Sequence, residues 1–439
     1  MNKRDSEALA ACFAERGYSI QEKEQDADII LLNTCSVRDG AEHKAVGKMQ
    51  MLIAQARLHK EKKIFGIMGC AAQVLGESLV HDLPGIHLVI GTHRYHRIPE
   101  YLEELLKDSS KVIVDCSGIT EKPVSFQNHL LQRVSPKKNQ ASAFVNIMHG
   151  CNQYCTYCIV PYTRGHEFSR SIEEIVHECE ALAKEGIKEI VLLGQIVTNF
   201  GKREISVSED GKTPFVQLLD AIHEIEGIER IRFTAPHPKG YGDDLINSYK
   251  RLPKLCQSAH IPVQSGSNRI LKEMHRGYTA AHFLEILSKL RNVQPSMGIA
   301  TDIIVGFPGE TDEEFQETLE LVRKARFDNA FLFKYSPREG TPAAKMLDQV
   351  PMRVKEERHA ELMRVVNELS AEIFQQMIGK TVEVLVEGPS RRNPNRLQGR
   401  SRCNKIVLFE GDKDWIGTIR RFRITRSGQY SLYGEEVKN

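Results

Sequence analysis

The sequence predicts an α/β protein in three parts: an N-terminal doubly wound α/β domain, a central partial (β/α)6 barrel and a small C-terminal antiparallel β-barrel. Through most of the chain, short apolar runs typical of buried parallel strands alternate with helical patterns. From Thr381 onward, polar and apolar residues alternate between turns rich in Gly, Pro, Asn and Asp. At 439 residues, the chain is too long for one ordinary domain.

Composition indicates a folded protein, with 41% hydrophobic and 27% charged residues. No apolar run approaches the roughly 20 residues of a membrane helix, and no signal-peptide pattern opens the chain, so we expect a cytoplasmic protein without a membrane partner. Ten irregularly spaced cysteines favour metal binding over a disulfide framework. The net charge is only +2, yet Gln376–Asn439 carries 13 Lys and Arg against 7 Asp and Glu.

The first domain is predicted over residues 1–116. A helix over Asn2–Tyr18 is followed by predicted strands at Ala27–Asn33 and Lys63–Met68, with a helix at Asp39–His59 between them. This alternation predicts a doubly wound sheet, in which ligands bind at the carboxyl ends of the strands.

Cys35 and Cys70 each stand just after one of these strands. Either one alone would be interpreted as a small buried residue at a strand end. Their matching positions favour a shared site at one edge of the sheet. Residues 117–136 mix Ser, Pro, Lys and Asn without a steady period and form the predicted linker.

The central domain is predicted over residues 137–375 and ends in a long amphipathic helix from Met352 to Met377. It contains six strand-like runs, fewer than the eight of a closed barrel, so we expect an open barrel with its chemistry at the carboxyl-terminal face. The six runs are Phe144–Met148, Glu189–Leu193, Arg230–Thr234, Ser258–Val263, Gly298–Val305 and Ala330–Tyr335.

Three cysteines follow the first of these strands as C-x3-C-x2-C: Cys151, Cys155 and Cys158. Three close thiolates suit zinc or an iron-sulfur cluster. Structural zinc normally takes four ligands, and His166 stands alone nearby. Three ligands on a four-iron cluster would instead leave one iron open for a substrate.

With Tyr157 as its aromatic residue, the motif resembles the signature of the radical S-adenosylmethionine (SAM) enzymes. This resemblance implies a [4Fe-4S] cluster on the three cysteines, with SAM on the open iron. Each Gly-rich loop after a later strand could be a plain connection, but four such loops at one face favour a ligand site. The SAM-binding residues that the resemblance implies are Tyr157, Gly194, Gln195, Gln264, Ser265 and Gly306.

The last domain is predicted over residues 376–439, with about five strands. Six basic residues and no acidic one lie between Arg391 and Lys405, either as a solvated loop or as a track for a phosphate backbone. The domain resembles the RNA-binding TRAM module. The predicted RNA-binding residues are Arg164 in the cysteine loop and Arg391, Arg392, Arg396, Arg400, Arg402 and Lys405.

Together the three parts resemble the methylthiotransferases, through segments such as NTCSVR, MGCAAQ, GCNQYCTYCIVPYTRG and TDIIVGFPGET. The CIVPYTRG, HPKG and GRSRCNKIVLFEG segments are most similar to the branch that adds a methylthio group to C2 of N6-(dimethylallyl)adenosine at position 37 of tRNA. Alternative substrates are threonylcarbamoyladenosine in tRNA and a ribosomal-protein aspartate. A non-catalytic RNA-binding protein with a structural metal site is the alternative of a different class.

The resemblance also implies an auxiliary [4Fe-4S] cluster on Cys35, Cys70 and a third cysteine that this chain lacks. Its further implications are SAM as second cofactor, an electron donor such as flavodoxin or ferredoxin, and a monomer. No catalytic His or carboxylate is expected, because a radical removes the hydrogen from C2.

Four features depart from the family pattern: His166 replaces Arg, Ile196 replaces Asn, Pro236 replaces Ser, and the chain begins at the Met of the family's G-C-Q-M-N motif. We expect a longer native protein with a further strand that ends in the third cysteine. The alternative is a short protein with an unstable auxiliary cluster. Cys12, in the middle of a helix, is expected to be a buried helix residue and no substitute.

Overall fold

The computed structural model describes residues 1–36, 39–118 and 140–437. The chain divides into two compact units. Unit 1 comprises Met1–Ser135, His149–Tyr154 and Cys158–Phe168, and unit 2 comprises Pro136–Met148, Cys155–Tyr157 and Ser169–Asn439. The predicted linker lies outside the described residues, apart from residues 117 and 118. None of the described helices is long and apolar enough to cross a membrane.

Unit 1 is built on a parallel sheet of four strands in the order β1-β2-β3-β4. The strands are β1 Ile29–Thr34, β2 Ile64–Gly69, β3 Leu88–Ile90 and β4 Ile113–Asp115. The helices are α1 Asn2–Glu15, α2 Asp39–His59, α3 Cys70–Leu75, α4 Ser78–Asp82, α5 Ile98–Lys107 and α6 Val160–Arg164. Cys12 is buried on α1, as predicted.

Helices cover both faces of this sheet. Leu9 of α1 and Leu102 of α5 belong to one apolar cluster, and Met49 of α2 and Leu79 of α4 belong to another. Successive side chains of β2 enter the two clusters in turn, because side chains of a strand alternate between the faces of its sheet. This explains the continuous apolar run in the sequence and confirms the predicted doubly wound architecture.

Unit 2 contains the six predicted parallel strands, arranged as two three-stranded sheets in the orders β5-β8-β9 and β10-β11-β12. A single parallel bridge from Ile231 to Leu255 joins the end of one sheet to the segment before the other. The strands are β5 Ser142–Asn146, β8 Glu189–Leu193, β9 Arg230–Phe233, β10 Ser258–His260, β11 Gly298–Val305 and β12 Asn329–Lys334. Two short strands, β6 Met148–His149 and β7 Phe168–Ser169, pair with each other. The open (β/α)6 prediction is confirmed.

Helices alternate with these strands. Two of the longer helices begin at a capping box, in which Ser171 or Thr311 pairs with the glutamate three residues on. The helices of this unit are α7 Ile172–Lys184, α8 Pro214–His223, α9 Asp243–Arg251, α10 Asn268–Glu273, α11 Ala280–Val293, α12 Asp312–Ala325 and α13 Met352–Gln375.

The C-terminal strands close into a five-stranded barrel in the order β13-β14-β15-β17-β16, called the small barrel below. The strands are β13 Thr381–Pro389, β14 Leu397–Ser401, β15 Ile406–Phe409, β16 Ile419–Ser427 and β17 Leu432–Glu436. One pairing, β15 with β17, is parallel, so the prediction of a wholly antiparallel barrel is corrected on this point. Strand β14 lies inside the predicted basic loop. Its buried residues Leu397, Gly399 and Ser401 alternate with only two polar residues, and this alternation is too short to give a clear strand pattern in the sequence.

Two buried arginines of β9 join the partial barrel to the small barrel within unit 2. Arg230 is fully buried and donates to the carbonyl oxygen of Arg400 at 2.8 Å. Arg232 donates to the Ser401 carbonyl oxygen at 2.7 Å and to Glu189 Oε2 at 2.7 Å. Because each buried charge has a partner, these contacts fix the position of the small barrel on β9.

We predict that Arg232→Met strongly destabilises the small barrel, because Glu189 would remain buried without its ion-pair partner. The expected cost is about 3–5 kcal/mol. Urea unfolding monitored by the fluorescence of Trp415 measures this loss of stability. Trp415 is the single tryptophan of the chain and packs against the core of the small barrel. The double variant Arg232→Met/Glu189→Leu should recover part of the loss, because no unpaired charge remains.

The matched control is Arg364→Met, which breaks an exposed pair with Glu368 one helical turn away. Such pairs contribute about 0.3–0.5 kcal/mol. Equal shifts in the urea midpoint for the two single variants would contradict the interpretation.

Candidate functional site

The carboxyl ends of β1 and β2 bring Cys35 and Cys70 to the same edge of the sheet. Thr34 and Gly69, which precede the two cysteines, are register partners in the parallel ladder. Gly69 has φ 102°, and a Cβ there would lie 2.6 Å from the Thr34 carbonyl oxygen, so only glycine permits this close approach. The neighbouring placement predicted from strand order is therefore found in the structure.

Arg164 lies beside Cys70 in unit 1 and is only 3% exposed. Its Nε donates to Cys70 Sγ at 3.4 Å, and its Nη2 donates to Asp5 Oδ2 at 3.0 Å and to Asn2 Oδ1 at 2.7 Å. Burial lowers the pKa of the guanidinium, but Cys70 and Asp5 outweigh this and raise it above its ordinary range. The guanidinium is therefore occupied by protein partners in this structure, and an RNA contact of Arg164 stays a prediction from sequence.

Glycine and a backbone hydrogen bond fix the start of the cysteine loop. Gly150 has φ 76°, and a Cβ there would lie 1.8 Å from the carbonyl oxygen of His166, so no other residue fits without a backbone shift. The amide of Cys151 donates to the Gly165 carbonyl oxygen at 3.0 Å. His166, which departs from the family pattern, contacts Asn152 Oδ1 through Nδ1 at 3.1 Å. Its ring therefore supports the loop.

The segment Cys155–Tyr157 belongs to unit 2 and is held by backbone contacts on both sides. The Thr156 hydroxyl donates to the Glu273 carbonyl oxygen at 2.7 Å, and the Thr156 carbonyl oxygen accepts from the Ala343 amide at 2.9 Å. Tyr157 packs against an apolar cluster that includes Phe307. Cys155 is 8% exposed and is thus held rigidly in a largely buried position.

Arg276 presents a buried guanidinium to Cys155. Its Nη1 donates to Cys155 Sγ at 3.3 Å, its Nε to Tyr278 Oη at 3.0 Å and its Nη2 to the Pro262 carbonyl oxygen at 3.3 Å. The side chain is 6% exposed. Arg276 is not among the residues predicted from sequence; it stands in the segment IPVQSGSNRILKEMHRGYT, between β10 and α11.

The predicted SAM-binding residues follow the strands whose carboxyl ends were expected to carry the site. Gly194 and Gln195 follow β8, Gln264 and Ser265 lie beyond β10, and Gly306 follows β11. At two of them a polar group already has a partner inside the protein: the Gly306 amide donates to a carboxylate at 2.7 Å, and the Ser265 hydroxyl accepts from a backbone amide at 3.2 Å. Gln264 has φ 71°, a left-handed conformation that is uncommon outside glycine and that clusters at functional sites.

His237, beyond the end of β9, is a buried polar residue that the sequence analysis did not select. Its Nδ1 accepts from the Lys239 amide at 3.3 Å, and its ring meets the Tyr278 ring edge-on at 5.4 Å. Its Nε2 is buried and has no hydrogen-bond partner among the described residues. Burial, helped by Arg276 and Lys239, lowers its pKa to about 2, so the ring is neutral. A neutral ring whose Nδ1 accepts carries its proton on Nε2, where it can donate to a ligand.

Comparison with known proteins gives the family. Residues 145–322 match the radical SAM superfamily, residues 1–91 match the uncharacterized protein family UPF0004, and residues 375–437 match the TRAM domain. The chain is 46% identical over 459 residues to a tRNA-2-methylthio-N(6)-dimethylallyladenosine synthase of Opitutus terrae, a match that covers 99% of this chain and 95% of the relative. The protein of the same description in Akkermansia muciniphila is 46% identical, with 99% and 96% covered.

The chain belongs to the tRNA-2-methylthio-N(6)-dimethylallyladenosine synthase family. Among solved structures, the radical SAM methyltransferase TsrM of Kitasatospora setae matches with a TM-score of 0.55 at 13% identity, over 77% of this chain and 70% of that one. The cobalamin-dependent SAM radical enzyme OxsB matches with a TM-score of 0.50 at 14% identity, over 79% and 50%. At these identities the two structures support the fold alone.

The donor set fits the iron-sulfur chemistry of the radical SAM superfamily. All ten cysteines are free. No three Cys, His, Asp or Glu side chains in the described ranges converge as the ligands of a single metal ion would. Each iron of a four-iron cluster takes its own cysteine, so cluster ligands stand farther apart than the four ligands of zinc. Arg164 and Arg276 each donate to a cysteine sulfur, that of Cys70 and of Cys155 respectively, and hydrogen bonds to the sulfurs are common around such clusters.

In the TRAM domain, exposed basic residues gather at the turn between β13 and β14. Arg391 and Arg392 are exposed, and Arg396 at the end of the turn lies over the Tyr433 ring at 5.8 Å. Arg426 stacks on the same ring at 3.7 Å. The sequence analysis missed Arg426 and Tyr433, because they come from later strands and meet Arg396 only in the closed barrel.

Three other predicted RNA-binding residues of this family member have protein partners. Arg400 pairs with Glu387 at 2.9 Å. Arg402 donates to the Leu255 carbonyl oxygen at 3.0 Å, and the buried Lys405 forms an ion pair with Asp328. Arg402 and Lys405 attach the small barrel to the partial barrel, and an RNA contact of either residue stays a prediction from sequence.

The low pKa of His237 predicts a loss of stability in acid. In the unfolded chain this histidine gains its proton near the ordinary pKa of 6.5, whereas in the folded chain it does so near 2. The unfolded state therefore binds more protons below pH 6.5, and stability falls as the pH falls from there toward 2, with no contribution above 6.5. We expect the urea midpoint of His237→Gln to fall less between pH 6.5 and 5 than that of the wild type.

His282→Gln, at an exposed position of α11, is the control and should keep the wild-type slope. Identical slopes for all three proteins would contradict the buried, neutral state of His237.

Proposed function

We propose that this chain adds a methylthio group to C2 of N6-(dimethylallyl)adenosine at position 37 of tRNA. The observation that carries the proposal is the 46% identity to two synthases of this name over 99% of the chain. The radical SAM signature in the cysteine loop supports it, since every part of the motif that the chemistry needs is present.

The chemistry explains why such a site is required. The C2–H bond of adenine has no proton acidic enough for a side chain to remove, so a radical must take the hydrogen atom. When bound, the cluster and SAM supply that radical. We propose that Cys151, Cys155 and Cys158 hold this cluster, and that Cys35 and Cys70 contribute to a second cluster that handles the sulfur.

The surrounding residues have supporting roles. Arg276 and the backbone contacts of Thr156 hold Cys155 in place. We propose that Tyr157, Gly194, Gln195, Gln264, Ser265 and Gly306 lie along SAM. His237 Nε2 is buried and has no hydrogen-bond partner among the described residues, and we propose that it donates to SAM or to the target base.

We propose tRNA as the macromolecular substrate and the turn 390–396 as part of its binding surface. Phosphate binding needs accessible cations: Arg391 and Arg392 are exposed, and the half-buried Arg396 ends the same turn. The target adenine must leave its stack to reach a buried site. A low-potential electron donor such as flavodoxin or ferredoxin completes the set of partners, and we propose that the protein acts as a monomer.

Two measurements test this function. Anaerobically reconstituted protein should be brown and should form 5'-deoxyadenosine from SAM under reduction. Nucleoside mass spectrometry of tRNA from cells without the protein should then show loss of 2-methylthio-N6-(dimethylallyl)adenosine. Unchanged levels of this nucleoside would refute the assignment, and loss of the 2-methylthio form of threonylcarbamoyladenosine instead would assign the other substrate.

We predict that the triple variant Arg391→Gln/Arg392→Gln/Arg396→Gln binds an anticodon stem-loop more weakly than the wild type. We also predict that its binding constant depends less steeply on the salt concentration. Each lost phosphate contact should reduce the slope of log K against log salt by about 0.7–0.9. Fluorescence anisotropy at several salt concentrations measures this slope. Arg353→Gln is the control, because this exposed arginine is paired with Glu357 at 2.8 Å. A triple variant with the wild-type slope would exclude this turn as an RNA contact.

A further inference from the structure

Arg276 is a buried cation without a buried anion. Its guanidinium contacts Cys155 Sγ, Tyr278 Oη, the Pro262 carbonyl oxygen and the Tyr278 ring. Within the described part of the chain, no carboxylate lies at ion-pair distance from it. Taking an unpaired charge out of water costs several kcal/mol, so such a position requires an anionic partner when the site is complete.

Arg164 in unit 1 shows the contrast. It also donates to a cysteine sulfur, but Asp5 offsets its charge at 3.0 Å. The chain is therefore able to place a carboxylate beside a buried arginine that faces sulfur. At Arg276 it places a tyrosine hydroxyl and a carbonyl instead, which orient the guanidinium and leave its full charge facing Cys155.

The backbone holds Arg276 in this position. His275 has φ 59° and Gly277 has φ 68°, so the residues on both sides adopt left-handed conformations. The Arg276 amide donates to the Leu271 carbonyl oxygen at 2.9 Å, at the end of α10. Left-handed geometry is costly for a residue other than glycine. The left-handed conformation of His275 therefore has an energetic cost, and it directs the side chain of Arg276 toward the interior.

We propose that Arg276 raises the reduction potential of the cluster bound through Cys155 and so makes SAM cleavage possible with a biological electron donor. The inference rests on the proposed function, because it requires that Cys155 is a cluster ligand. Net charge and hydrogen bonds to the sulfurs are among the quantities that set such potentials.

The electron balance gives the sign. One electron passes from a low-potential one-electron carrier to the oxidised cluster, no bond at Cys155 forms or breaks, and the cluster becomes one charge more negative. The guanidinium and its N–H···S bond stabilise the added charge, more strongly in a buried site than in water. Removing them must make reduction harder.

The test is a potentiometric titration of the reconstituted full-length chain, monitored by electron paramagnetic resonance. The signal that changes on addition of SAM identifies the cluster with the open iron. Arg276→Gln keeps a donor but removes the charge, and its midpoint should be more negative than that of the wild type. Arg276→Lys, which keeps the charge but loses the planar fork, should lie between the two. Tyr278→Phe loosens the guanidinium and should shift the midpoint in the same direction, by less.

Arg291→Gln is the matched control. Arg291 also donates to backbone carbonyl oxygens of unit 2, those of Ala325 and Arg326, and contacts no cysteine. Its midpoint should equal that of the wild type. If the substitutions acted only by disturbing the fold, Arg276→Gln and Arg291→Gln would have the same effect on the midpoint potential of the cluster.

A second readout separates tuning from structural damage. With flavodoxin as donor, 5'-deoxyadenosine formation by Arg276→Gln should fall by about tenfold or more, and a tenfold change corresponds to about 59 mV for a one-electron couple. A reductant of much lower potential, such as titanium(III) citrate, should restore most of the rate. Loaded variants with the wild-type midpoint, or a loss that no reductant rescues, would overturn the inference. A wild-type chain that binds no cluster would instead overturn the proposed function.

Discussion

Parallel strand pairing is the constraint on which both units depend. Because the strands of a parallel sheet all end at one edge, every loop that follows them opens on the same side. In unit 1 the pairing of Thr34 with Gly69 sets Cys35 beside Cys70. In unit 2 the same rule gathers the loops after six strands. The loops of each unit thus bring together residues far apart in sequence, and glycines such as Gly69 provide the space for their close approach.

Buried charge is the second organising feature. Guanidiniums hold the small barrel on β9 through backbone carbonyl oxygens, and others donate to cysteine sulfurs. Arginine suits both tasks, because its planar fork donates in several directions and stays charged when buried. Where a carboxylate is present, as at Arg232 and Arg164, the arginine has a structural role. Where none is present, as at Arg276, the charge is available to a bound anion.

Much of the architecture could be predicted from sequence. Apolar runs of strand length, helical periods and turn residues depend on neighbours along the chain, and they gave both α/β parts and the small barrel. The spacing of Cys151, Cys155 and Cys158 is local too. What the sequence could not show has a common cause, since burial of a charged side chain depends on partners distant in sequence. Arg164, Arg402 and Lys405 look like surface cations until Asp5, the Leu255 carbonyl and Asp328 are seen beside them. Arg276 and His237 were missed for the same reason, and β14 was missed because too few polar residues alternate with its buried ones.

The central claim is that the three cysteines of the loop hold one four-iron cluster that cleaves SAM. Iron and sulfide analysis of reconstituted Cys151→Ala/Cys155→Ala/Cys158→Ala, beside the wild type and Cys179→Ala/Cys256→Ala, tests it most directly. Cys179 and Cys256 are buried cysteines of unit 2 outside the loop and serve as controls for the loss of thiols. The account predicts that the triple variant lacks about four irons per chain relative to the wild type and forms no 5'-deoxyadenosine, while the control variant keeps both. A triple variant that retains its iron and cleaves SAM would contradict the account.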